Sequence, residues 1–169
     1  MSRPELTSIP QFYHGYVLQT EEDDALQAIL ANGEKACRFL QSIAEDRWNY
    51  RYAEGKWSIK EMVQHIIDAE RIFAYRALCI SRGETASLPG FDENKYANNS
   101  KAENRLRDTL IAEFETARKS TAQLFASFDD EQLAVTGIAN NNSISVNAIG
   151  FIIAGHVQHH LNVLKERYV

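Results

Sequence analysis

Proline occurs three times in 169 residues, at Pro4, Pro10 and Pro89, and each lies outside the stretches where apolar residues recur at helical spacing. A proline inside a helix removes a hydrogen bond and clashes with the preceding turn, so the proline-free periodic stretches are free to run as long helices. Alternating apolar and polar runs of the strand type are absent. The spacing predicts four helices, roughly 20–46, 58–82, 100–127 and 145–168. The first carries Leu26, Ile29, Leu30, Ala36, Leu40 and Ile43 on one face, behind an acidic start "TEED" with Thr20 as the cap. The second and third each open on an S-x-x-E capping box, Ser58 with Glu61 and Ser100 with Glu103. The fourth begins near Ser145.

The connection 83–99 contains "LPGFDENKYA" and is too long for a tight turn. Its length lets the second and third helices run in the same direction, and it is a candidate cover for a pocket through Phe91, Asp92 and Tyr96. The stretch "DDEQLAVTGIANNNS" reads as a short acidic turn of helix followed by a polar loop. The expectation is an all-α chain, a four-helix bundle with a long loop between helices 2 and 3, forming one domain over 1–169.

Composition narrows the functions. A net charge of −5 argues against a nucleic-acid partner, which usually meets a basic patch. No run approaches the eighteen apolar residues of a membrane span, and the N-terminal residues lack the apolar core of a secretory signal. Cys37 and Cys79 have no motif spacing and read as reduced residues of a cytoplasmic protein.

Chemistry concentrates in the last helix. Of five histidines, His156, His159 and His160 fall in "GHVQHH". At about 100° per residue, His156 and His160 stand about 40° apart, one turn from each other, while His159 is turned away by about 100°. The pair shares a stripe with Ile149, Ile153 and Leu164, where two imidazoles need partners to offset their desolvation. His65, on a stripe with Met62, Ala69 and Ile72, is the natural third ligand. Three histidines with an open position suit a catalytic divalent ion. By spacing alone, a hydrogen-bonded core pair fits equally well. His14, in "FYHGY", reads as packing or surface.

Three further residues are catalytic candidates. Glu61, one turn before His65, is a possible general base, although the capping box already employs it. Asp68 could act as base or orient a histidine. Arg76, three turns beyond His65, needs an anion, with Glu70 or Glu166 as the expected partner and an anionic substrate as the alternative. Trp57 reads as a staple at the start of the second helix.

In combination, "GKWSIKEMVQHIIDAERIFAYRAL", "LPGFDENKYA" and "IIAGHVQHHLNVLKERY" resemble the DinB/YfiT-like family of metal-dependent enzymes. The resemblance covers nearly the whole chain. It implies a four-helix bundle, commonly a homodimer, with a divalent metal, Zn or Ni, on His65, His156 and His160. It further implies a small-molecule substrate, attacked by a low-molecular-weight thiol as in S-transferases or by water as in hydrolases. The alternatives are a non-catalytic metal or small-ligand binding bundle and a dimeric structural protein.

Overall fold

The computed structural model describes residues 1–169. Its helices are α1 (His14–Val17), α2 (Ala25–Ser42), α3 (Ile59–Ser81), α4 (Glu93–Asn99), α5 (Arg107–Ala126), α6 (Asp130–Ala134) and α7 (Val146–Arg167). A hairpin of β1 (Thr136–Ala139) and β2 (Asn142–Ser145) precedes α7. The four long helices, α2, α3, α5 and α7, form the bundle. No helix is long and apolar enough to cross a membrane.

Side-chain caps set three of the four starts. Asp24, not Thr20, begins α2 by accepting from the Gln27 backbone N–H at 3.0 Å. Thr20 is occupied elsewhere, donating from Oγ1 to the Val17 carbonyl to close α1. The capping box of α3 forms in both directions between Ser58 and Glu61. Ser145 caps α7 through the Ala148 N–H. The expected Ser100–Glu103 box does not form. Ser100 ends α4, Lys101 takes a left-handed φ of 53°, and α5 starts only at Arg107. Its N-cap, Leu106, supplies no side-chain bond.

The region before α7 also differs from expectation. Thr136–Ala139 pairs antiparallel with Asn142–Ser145 across a turn at Asn140 and Asn141, both at positive φ. Asparagine tolerates that backbone, and two such residues make the tight hairpin turn. With only Ala139 and Ile144 buried, the strands are too short to show an alternation in sequence. The connection 83–99 is half helix, because Asp92 caps α4 through the Lys95 N–H. Its first half is stitched to β1 by Leu88, which donates to the Ile138 carbonyl and accepts from Asn140, both at 2.9 Å.

Around the bundle, α2 packs on α7 and α5, and α3 packs on the same two. Consecutive long helices α2 and α3 are therefore diagonal. The contacts Lys60 to Glu103, Gln64 to Arg105 and Arg71 to Glu113 advance together, so α3 and α5 run in the same direction. By the same logic Asn32 to Gln158, with Ala25 against Gly150, makes α2 parallel to α7. The interior holds two apolar clusters, one centred on Ile29, Phe125, Ile149 and Ile152, the other on Leu40, Ile66, Phe114 and Leu161. Buried polar side chains, among them Asn32, His65, Glu70, Arg118, His156 and Gln158, belong to neither cluster.

Candidate metal centre

The antiparallel packing of α3 on α7 brings His65 to His156 and His160. His156 Nε2 lies 3.0 Å from His65 Nε2 and 3.1 Å from His160 Nε2. All three ligand atoms fall within 4.8 Å of one another, and the rings are only 5–9% exposed. Nitrogens bound to one tetrahedral ion at 2.0–2.1 Å stand about 3.3 Å apart, close to this separation. Two nitrogens sharing a proton explain one short contact; three ring nitrogens clustered within 4.8 Å suit a cation better.

The electrostatics agree. Burial pushes His65 down to about 4, and burial with the neighbouring imidazoles holds His156 and His160 well below the ordinary histidine range. At neutral pH all three are uncharged, with lone pairs available. Nδ1 of His65 and of His160 meets no protein acceptor. The donor set of three neutral, converging imidazoles fits a divalent ion.

An aromatic collar surrounds the three rings. Trp57, expected as a helix staple, lies over His65 at a centroid distance of 4.8 Å. Tyr16 meets His156 edge-on at 5.3 Å, and Phe73 stands 6.1 Å from the same ring. Phe73 sits two turns beyond His65 on one stripe and was within reach of a helical-spacing argument. Tyr16 was not, since nothing in its sequence neighbourhood points to α7. It reaches there because Gly155 has no side chain: an added Cβ would stand 2.0 Å from the Tyr16 carbonyl oxygen.

The other candidates are not brought to the trio. Glu61 spends both oxygens on Arg51 and the Ser58 N–H. Burial alone would raise its carboxyl, but the Arg51 and Ser58 hydrogen bonds outweigh that and hold it low. Asp68 accepts from Gln64 at 2.9 Å and borders a shallow depression with Lys95, Tyr96 and Asn99. Arg76 does not pair with Glu70, which faces Arg118 at 2.9 Å. Instead Arg76 donates to the Pro89 carbonyl at 2.7 Å. His14 contacts the Ile9 carbonyl, and His159, half-buried, lies beside Tyr16 and His160. From the connection 83–99, Phe91 packs on Tyr96 and Asp92 is used as a cap. Asn94 borders a cleft of about 220 Å³ with Trp57, Met62 and Tyr168. A cavity of about 620 Å³ between α2 and α5 is lined by Gly33, Cys37 and Arg118 and by none of the three histidines.

A four-helix bundle whose facing helices converge three imidazoles in its interior defines a class, the bundles that build metal sites from side chains on opposed helices. Residues 29–164 match the DinB superfamily, and the chain belongs to that superfamily. It is 28% identical over 127 residues to a protein of Oceanobacillus iheyensis named "Putative metal-dependent hydrolase", covering 75% of this chain and 73% of that one. Among solved structures it is similar to YfiT from Bacillus subtilis, described as a probable metal-dependent hydrolase with an unusual four-helix bundle topology. The TM-score is 0.75 at 15% identity, over 84% of this chain and 82% of YfiT.

Proposed function

We propose that this protein is a metal-dependent hydrolase in which His65, His156 and His160 hold one divalent ion, zinc or nickel, and leave a position open toward substrate. The observation that carries the reading is the convergence of three buried, neutral Nε2 atoms from two helices. Bound there, the ion would supply Lewis-acid chemistry, lowering the pKa of a water or thiol and polarising an electrophile. The chain's own part is to hold the imidazoles deprotonated and fixed. Burial does the first, and the rings of Trp57, Tyr16 and Phe73 do the second while limiting solvent access. The names borne by the two similar proteins support water over a thiol as the attacking group.

The test is metal analysis followed by assay. Wild-type protein should take up about one equivalent of zinc or nickel, and His65→Ala should lower the affinity by at least about tenfold. Metal-loaded protein is then offered small esters and amides, and separately thiols with electrophilic acceptors. Hydrolysis that His65→Ala abolishes supports the reading. Turnover only with a thiol makes the protein a transferase, and full loading with no turnover makes it a binding module. Metal uptake unchanged by His65→Ala overturns the centre itself.

A further inference from the structure

Glu61, Glu70 and Arg118 are buried, and each has an opposite charge within 3 Å. Arg76 is the buried charge without one. Its residue is 4% exposed, its Nε meets no acceptor, and its partners are neutral: Nη2 donates to the Pro89 carbonyl, and the Tyr13 hydroxyl lies beside the guanidinium. A guanidinium cannot escape by losing its proton, so a buried one ordinarily finds a carboxylate. Here Glu70, the nearest in sequence, is taken by Arg118.

Arg76 lies three turns along α3 from His65, and Phe73 stands between it and the centre. The guanidinium Cζ lies 5.5 Å from the Phe73 ring, and Phe73 is the residue that reaches His156. Tyr13 forms the opposite wall, 6.0 Å from Phe73 between centroids. Together with Asn142 and Ile149 these residues line one narrow cleft.

We propose that Arg76, with the Tyr13 hydroxyl beside it, anchors a carboxylate of the substrate, so that the substrate is a small acid whose reacting bond lies at the three histidines. The inference rests on the reading of those histidines as the reacting centre. A planar carboxylate matches the guanidinium edge and fits between two aromatic walls better than a tetrahedral anion does. The cleft has no room for a water molecule as it stands. The Tyr13 ring, half-buried on the N-terminal segment outside the bundle helices, therefore shifts outward to admit the acid while its hydroxyl stays within reach of the guanidinium.

The test is calorimetric titration with phenylacetate and with its uncharged amide, on protein stripped of metal so that the acid cannot simply ligate an ion. Wild type should bind the acid and not the amide. Arg76→Gln should weaken acid binding roughly tenfold or more, and Tyr13→Phe by a smaller factor, with metal uptake unchanged in both. Equal binding of acid and amide, no binding of the acid by wild type, or an unaltered affinity in Arg76→Gln overturns the anchor. The acid–amide comparison needs no variant, so it decides the matter even if Arg76→Gln does not fold. Normal metal uptake with no acid binding sinks the anchor alone. Acid binding that depends on Arg76 in a protein that takes up no metal sinks the centre alone.

Discussion

Gly155 precedes the first histidine of α7, and the path of the N-terminal segment depends on its missing side chain. The Tyr16 carbonyl that an added Cβ would strike belongs to backbone and cannot rotate aside. Gly155→Ala should therefore destabilise the protein by about 1–3 kcal/mol, as overpacking does. It should also lift Tyr16 from His156. Chemical denaturation measures the first effect, and tyrosine accessibility to iodination the second. An alanine variant as stable as wild type would mean that α1 has another seat. At this scale the helical repeat made His156 and His160 legible, since one turn separates them, and the stripe of α3 made His65 legible. The free charge on Arg76 was not, because which of several carboxylates meets Arg118 depends on how α3 and α5 register.

Among the elements, the starts of α3 and α7 coincide with the sequence signal, whereas Thr20 and the Ser100–Glu103 box mislead, and the box shows what that signal lacks. Ser58, Glu61 and Ser145 lie where the backbone turns from extended to helical, and their side chains meet the free N–H groups. Ser100 and Glu103 have the same spacing, but Lys101 between them is left-handed, so only a single 3-10 turn forms there and the α-helix waits until Arg107. Ser58→Ala should cost about 1 kcal/mol, whereas Ser100→Ala, which loses two local turn contacts to Ala97 and Ala102, should stay within about 0.5 kcal/mol. Thermal melts of the two variants check the contrast. The hairpin before α7 escaped a pattern-based reading for a related reason. Four-residue strands hold too few positions to establish a period, and their order comes from pairing with each other and with Leu88.

For the molecule as a whole, the buried histidines set a pH limit. Each has a folded pKa below its unfolded value near 6.5, with His65 at about 4. Above the unfolded value both states are neutral and pH has no effect through these groups. As pH falls through about 6.5 the unfolded chain binds protons that the folded chain refuses, so stability drops steadily toward about pH 4. Metal-free protein should thus lose melting temperature on acidification across that window. His65→Ala should flatten the slope, and an unchanged slope would show that other groups govern acid sensitivity.

Closing a contact between residues 91 positions apart carries a consequence for the order of assembly. Such a closure is slow relative to local helix formation, and an ion present beforehand finds at most the pair one turn apart on α7. Cation capture then follows chain collapse instead of nucleating it. In stopped-flow experiments, added zinc should leave the refolding rate nearly unaltered and slow unfolding, prolonging the lifetime of the native state.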